Sequence, residues 1–265
     1  MGARVAGLHV WVEDLMGMAV SIHVRSDSDT ASVATEKAVA SCFADLREID
    51  RMFSTYRDDS DISRMARGEL FEADADPRVA EVAQACREAE VETGGLFSAH
   101  WQGWFDPTGF VKGWAVERAA RTHLEPLLAD EIAVGINAGG DLQLFTAEGR
   151  EWQWTVGISD PHRQGEVLAT FDIRNGAMAT SGSAERGAHI IDPHTGLAAA
   201  RGVASASVVA DSLTRADVWA TAAVVAGFDE RSWVSKAGTQ TGMLVADDGR
   251  VTRWLGSTVI ETVVA

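Results

Sequence analysis

The feature that most narrows the fold is a change of hydrophobic period part-way along the chain. From about Ser32 to Phe53, apolar residues recur at Val39, Phe43, Leu46, Ile49 and Phe53, the spacing of one helix face. A second helix is expected from about Arg78 to Glu92, stopped by Gly94-Gly95. A third is expected from about Lys112 to Leu128, ended or bent by Pro126. Beyond it the apolar residues fall into short runs. Two strands are predicted within Ile132 to Phe145, around Ala138-Gly139-Gly140, then others at Trp152 to Ile158, Val167 to Ile173 and Ala204 to Val209. One more helix, about Leu213 to Val225, has Asp211 or Ser212 as N-cap and Gly227 at its C-terminal stop. Strands return at Gly242 to Ala246, Val251 to Trp254 and Thr258 to Val264. Near the start, Met18, Val20, Ile22 and Val24 alternate with Ala19, Ser21, His23 and Arg25, which predicts a half-buried strand. Helices separated by runs of strands predict an α+β fold with largely antiparallel sheets and packed helices. No low-complexity linker, internal repeat or heptad run divides the chain, so a single domain over residues 1–265, or two intimate lobes, is expected.

Composition limits the chemistry. With 265 residues, 46% of them hydrophobic, the chain can bury a substantial core. Its net charge of −16 argues against a nucleic-acid partner, because phosphate binding needs a basic footprint. An anionic substrate would need local compensation from a metal, a lysine or helix N-termini. Cys42 and Cys86 lie within helical periodicity beside apolar residues and are expected as buried, reduced thiols, too few for a zinc site. No apolar run approaches the ~20 residues that span a bilayer. The apolar patch Leu8 to Val12 is interrupted by Glu13 and Asp14, and no cleavage site or lipid-acceptor cysteine follows; a cytoplasmic protein without a membrane partner is expected.

Four clusters could carry chemistry. Asp106-Pro-Thr-Gly-Phe-Val-Lys112-Gly113 precedes the expected third helix, where a lysine and backbone amides suit a phosphorylated ligand. It reads equally as a turn capped by Asp106. Asn137-Ala-Gly-Gly-Asp141 reads first as a tight turn between strands. Gly176 to Gly196 contains Ala179-Thr-Ser-Gly182 and His189-Ile-Ile-Asp-Pro-His-Thr-Gly196, the make-up of a functional loop. His189 could act there as a general base or simply satisfy a backbone carbonyl, while His194 is expected to be exposed. Asp217 and Thr221 stand i, i+4 on one helix face. They are hard oxygen ligands suited to Mg²⁺, or else a solvated aspartate and a threonine bonded to the preceding turn.

The four clusters occur in an order that resembles the FAD:protein FMN transferases, the ApbE family. The resemblance starts at Met16-Gly17-Met18 and runs through Phe53-Ser-Thr-Tyr56, Asp59 to Ser63, and Thr93-Gly-Gly-Leu-Phe97. It continues through the four clusters to Ala216-Asp217-Val-Trp-Ala-Thr221, with His189-Ile-Ile-Asp-Pro-His-Thr-Gly196 the most diagnostic piece. The resemblance implies an ApbE-like, T-fold-like architecture. It also implies Mg²⁺-dependent transfer of FMN from FAD to a threonine of an acceptor protein, releasing AMP. By matching positions, Asp217, Thr221 and the Gly109 carbonyl would hold the metal, and Met16, Tyr56, Leu96, Phe97, Ser98, Asp106, Lys112 and Ile191 would line the FAD site. His189 would activate the acceptor threonine. The implied acceptor is another flavoprotein with an Asp/Ser-Gly/Ala-Ala-Thr-Ser/Thr segment, of which Gly176-Ala-Met-Ala-Thr180-Ser181 is only a loose echo. The chain departs from the family in the short stretch Ser98 to Phe105, in Ser98 where aspartate is common, and in the short stretch between Gly182 and His189. These departures motivate two alternatives: an FAD pyrophosphatase giving FMN and AMP, and a non-catalytic flavin-binding protein.

Overall fold

The computed structural model describes residues 7–28, 30–130, 132–182, 190–199 and 202–264. Among the described residues, nine strands form one antiparallel sheet. In spatial order they are β1 (Gly7–Leu15), β2 (Met18–Ser26), β3 (Ala133–Ala138), β4 (Asp141–Thr146), β7 (Gly176–Gly182), β10 (Val203–Ala210), β11 (Thr241–Ala246), β12 (Arg250–Leu255) and β13 (Thr258–Val264). The hairpin of β5 (Trp154–Ser159) and β6 (Val167–Ile173) leaves the sheet between β4 and β7, and β8 (Ile191–Asp192) pairs with β9 (Leu197–Ala198). The mixed helical and antiparallel architecture is the one that the hydrophobic periods predict.

Side-chain alternation gives the central sheet two different faces. Val20, Ile22, Val134, Ile136, Ala177, Ala179, Ala206 and Val208 join the core beneath the helices, whereas Leu144, Met178, Val209, Met243 and Val245 pack against Val156, Ile158 and Ile173 of the β5–β6 hairpin. Strand β10 is covered on both sides and all eight of its residues are buried.

On the helical face, α1 (Val33–Phe53) starts at a Ser32 cap whose hydroxyl accepts from the Thr35 amide, and it buries Val39, Phe43, Leu46 and Ile49. After the short α2 (Asp61–Ala66), α3 (Pro77–Glu92) begins behind an Asp76 cap with proline in its first turn. Cys42 and Cys86 are buried free thiols, pushed up to about 12 chiefly by burial.

The expected third helix needs correction at both ends. Helix α4 spans Thr108–Ala119, so Thr108 to Gly113 forms its first turns rather than a loop before it. Pro107 sits at the cap, where its fixed φ and missing N–H suit a helix start. Regular winding stops at Ala119, ahead of Pro126, and passes through a wide turn at Ala120–Leu124 into a tight one at Glu125–Asp130. Helix α5 (Leu213–Ala226) has Ser212 as its N-cap and Gly227 at its end. Alanines at 177, 179, 206, 216, 220 and 223 are buried in the same core, which lets α5 approach the sheet closely.

Candidate functional site

Helices α4 and α5 meet at a glycine. A Cβ built on Gly113 would stand 3.0 Å from Asp217 Cβ, 3.0 Å from Asp217 Oδ2 and 3.2 Å from the Leu213 carbonyl oxygen. A side chain here would press on Asp217 and the α5 backbone, so glycine gives the closest crossing. Lys112, on the next position of α4, reaches two carboxylates. Its Nζ contacts Asp141 Oδ2 and lies 3.6 Å from Asp217 Oδ1.

These acids are buried. Asp141 and Asp217 side chains are 2% and 5% exposed, which removes the alternative of a solvated Asp217. Asp141 Oδ1 accepts from the Thr180 amide at 3.1 Å. Asp217 Oδ2 has no hydrogen-bond partner among the described residues. Burial pushes the Asp217 carboxyl up to about 7; the Lys112 ammonium opposes that shift and the Asp141 carboxylate adds to it. One helical turn beyond Asp217, Thr221 Oγ1 meets Ser181 Oγ at 3.2 Å.

Two further side chains hold α5 in place. Glu117 Oε2, from α4, accepts from the Ser212 hydroxyl, the Thr214 hydroxyl and the Thr214 amide. Gln143, wholly buried in β4, donates to the Gly176 carbonyl and accepts from the Leu213 amide. The start of α5 is thus tied to α4 and to the sheet, and Asp217 follows one turn later.

The segment read as one functional loop divides in two. Gly176–Gly182 is strand β7, in the middle of the sheet; Thr180 and Ser181 are strand residues facing Ser207 and Thr221 respectively. The Gly-Ala-Met-Ala-Thr-Ser run lacked enough bulky residues to read as a strand, yet small residues are what α5 requires there. Gly182 also approaches the Ala204 carbonyl too closely for any side chain. His189 lies outside the described residues. Past it, Asp192 closes a turn by accepting from the His194 and Gly196 amides, through its side chain and carbonyl respectively. His194 is exposed, and its Nε2 would lie 3.2 Å from a Cβ at Gly95, so this turn rests against the Gly94-Gly95 bend. Ile191 is half-buried in β8.

The remaining expected FAD-lining residues have varied settings. Tyr56 is 95% exposed and Met16 has a left-handed φ of 53° in the β1–β2 hairpin turn, beside Gly17 at 72°. Two successive positive φ values are what a two-residue hairpin turn joining Leu15 to Met18 requires. Phe97 is buried against Phe110, with Gly109 over its ring edge, and its amide donates to the Thr93 hydroxyl. Leu96 packs partly against the core, and Ser98 Oγ accepts from the His100 amide. Asp106 accepts from the Thr108 amide and hydroxyl at the start of α4 and from Gln102. Gly109 is exposed in the first turn of α4, one turn before Gly113.

Lys112, Asp217 and Thr221 are therefore brought together, with Gly109 on the adjoining turn. Asp141, Glu117 and Gln143 join them, and sequence reasoning assigned none of these three a role. An acidic or amide residue in the apolar run Asp141-Leu-Gln-Leu-Phe145 was the available clue, since a buried polar side chain needs a dedicated partner.

A nine-stranded antiparallel sheet carrying two helices that present lysine, carboxylate and hydroxyl groups defines an α+β protein with a cation- and anion-compatible site. The sequence model of the ApbE family matches residues 16–103 and 99–244, and the chain belongs to that family. It is 34% identical over 135 residues to the FAD:protein FMN transferase of Treponema pallidum (strain Nichols), covering 46% of this chain and 36% of that protein. It is 32% identical over 166 residues to the FAD:protein FMN transferase of Haemophilus influenzae, covering 57% and 46%. The chain thus spans less than half the length of these curated relatives. Among solved structures, the ApbE protein of Thermotoga maritima superposes with a TM-score of 0.78 at 23% identity, covering 93% of this chain and 96% of that one. The flavin transferase ApbE of Vibrio cholerae gives 0.73 at 18% identity, covering 96% and 98%. Both likenesses show the shared fold.

Proposed function

We propose that this chain transfers FMN from FAD to a threonine hydroxyl of an acceptor protein in a Mg²⁺-dependent reaction that releases AMP. The observation that carries the reading is the cluster of half-buried Lys112 and Thr221 with buried Asp217 on helices α4 and α5, within a chain whose family includes proteins named for that activity. The unbroken sheet from β1 to β13 supports treating the chain as one domain.

The donor set suits magnesium. Asp217 supplies a buried carboxylate whose Oδ2 makes no hydrogen bond among the described residues, and Thr221 supplies a hydroxyl one turn away. The proposed ligands are one carboxylate, one hydroxyl and the Gly109 carbonyl, all hard oxygen donors. Bound there, Mg²⁺ would supply Lewis-acid stabilisation of pyrophosphate charge.

The protein's own residues do the rest. Lys112 offers a positive charge to the pyrophosphate, near the exposed Gly109 in the first turn of α4. Tyr56 is free to stack on a flavin or adenine ring, while Met16, Leu96, Phe97, Ser98, Asp106 and Ile191 surround the nucleotide. His189 takes the threonine proton as the hydroxyl oxygen bonds to the flavin-side phosphorus and the bond to the bridging oxygen breaks, freeing AMP. The acceptor is a flavoprotein with an Asp/Ser-Gly/Ala-Ala-Thr-Ser/Thr segment. A cytoplasmic setting completes the proposal; the two free cysteines accord with it. No described helix is long and apolar enough to cross a membrane.

Incubation with FAD, Mg²⁺ and an acceptor carrying that segment, followed by mass spectrometry, tests this reading. An acceptor heavier by FMN, lost with Asp217→Ala, is the expected result. Free FMN and AMP without acceptor labelling would replace the transferase by a pyrophosphatase, and tight FAD binding without turnover would leave only a flavin-binding protein.

A further inference from the structure

One ammonium faces two buried carboxylates, and the two are held differently. Asp141 is anchored to the sheet through the Thr180 amide, so its carboxylate is fixed in place. Asp217 stands on α5 beside Thr221; among the described residues neither its Oδ2 nor Asp141 Oδ2 has a hydrogen bond, but Asp141 Oδ2 is the one that Lys112 contacts. Lys112 contacts Asp141 and lies 3.6 Å from Asp217. Two carboxylates against one ammonium leave the cluster one positive charge short, and such a deficit is costly when buried. A divalent cation at Asp217 removes the deficit but introduces a new conflict. Like charges about 4 Å apart repel by several kcal/mol at the effective dielectric of protein sites. The ammonium therefore needs somewhere else to reside.

We propose that Asp141 is a positioning residue that retains the Lys112 ammonium and draws it off Asp217, so that a divalent cation can occupy Asp217 and Thr221 while the lysine stays in the site. The inference rests on the reading that Asp217 and Thr221 bind a divalent cation. Asp141 acts only through Lys112. The arrangement lets ammonium and metal ion sit side by side, each on its own carboxylate, facing the same anionic substrate.

The test is Mn²⁺ binding by titration calorimetry to the full chain in mildly alkaline buffer. Four proteins are compared: unsubstituted, Asp141→Asn, Lys112→Met and the double variant. Asparagine keeps the oxygen that accepts from Thr180 but puts an amide donor where Asp141 Oδ2 met the ammonium, which shifts the pairing of Lys112 towards Asp217. Asp141→Asn should weaken Mn²⁺ binding about tenfold or more, and Lys112→Met should tighten it. The double variant should return close to the unsubstituted affinity, a rescue that damage to the fold could not produce. Equal affinity in Asp141→Asn and unsubstituted protein overturns the inference, as does a double variant as weak as Asp141→Asn. If Asp141→Asn fails to fold, Lys112→Met decides alone, and weaker Mn²⁺ binding in it overturns the inference. Flavin transfer by the unsubstituted protein is measured in parallel. Transfer with the wrong order of affinities refutes only the role of Asp141; the right order without transfer refutes only the proposed activity.

Discussion

Replacing Glu117 by alanine tests whether one carboxylate fixes the two site-bearing helices to each other. Its Oε2 accepts from the Ser212 hydroxyl at 2.6 Å, the Thr214 hydroxyl at 2.7 Å and the Thr214 amide at 3.0 Å, while Oε1 accepts from Arg121 at 2.9 Å. Hydrogen bonds to a charged group contribute about 1.5–3 kcal/mol each, and bonds sharing one atom do not add in full. A carboxylate at a helix N-terminus adds about 0.3–1 kcal/mol. Glu117→Ala should therefore cost about 3–5 kcal/mol, roughly 6–20 °C in thermal midpoint for a chain of this size. The pH dependence supplies a second check. Burial alone would raise the Glu117 carboxyl, but the Ser212 and Thr214 donors outweigh it and hold the group below its usual range. A depressed folded pKa stabilises above the unfolded value, and the contribution is lost as pH falls through the folded one. The gap between parent and variant in circular-dichroism melts should thus narrow in acid. A loss under about 1 kcal/mol, or a gap unchanged by acid, would refute the reasoning.

Three further outcomes follow from the same geometry. Gly113→Ala gains about 1 kcal/mol of helix propensity but forces α4 from α5, an overpacking cost of about 1–3 kcal/mol; Mn²⁺ titration should show weaker binding even where the melting point barely moves. Because burial raises Asp217, its folded form holds a proton that the unfolded chain has released, so metal-free stability should fall as pH rises towards about 7. Added Mg²⁺ should stabilise more above that pH than below it, measured as the shift in melting midpoint; a shift independent of pH counts against Asp217 as the ligand. Tyr56→Ala removes an exposed ring, so stability should change by less than about 0.5 kcal/mol while FAD affinity, followed by flavin fluorescence, declines.

The periodic elements were legible because their burial is one-sided. Helix α1 spends one face on the core, and its ends are marked by a serine cap and a change of texture, so its expected and observed limits nearly coincide. The same holds for α5, with Ser212 and Gly227 as punctuation. Strand β1 was missed for the opposite reason. Leu8, Val10 and Val12 are exposed, while His9, Trp11 and Glu13 turn towards α1, where Trp11 meets Glu36 and Glu13 meets Arg47. Its alternation is present, but the polarity of its faces is inverted, so it read only as an apolar patch. Strand β7 was missed because small residues chosen for close helix packing carry little strand propensity.

The site divides along a similar line. Lys112, Asp217 and Thr221 could be proposed from residue type and helical spacing, since both are local properties. Asp141 stood at the end of the Asn137-Ala-Gly-Gly-Asp141 turn, but its role could not be read, because it depends on a contact between the start of β4 and the first turns of α4, which no spacing encodes. Glu117 and Gln143 are hidden in the same way: each joins elements distant in sequence and touches no reacting atom by itself. A chemical group announces itself by type, whereas the group that positions it is identified by what it touches. Substitutions at Asp141, Glu117 and Gln143 should therefore share one signature, a change in cation affinity larger than the stability change explains, and that signature separates a support of the site from an ordinary part of the core.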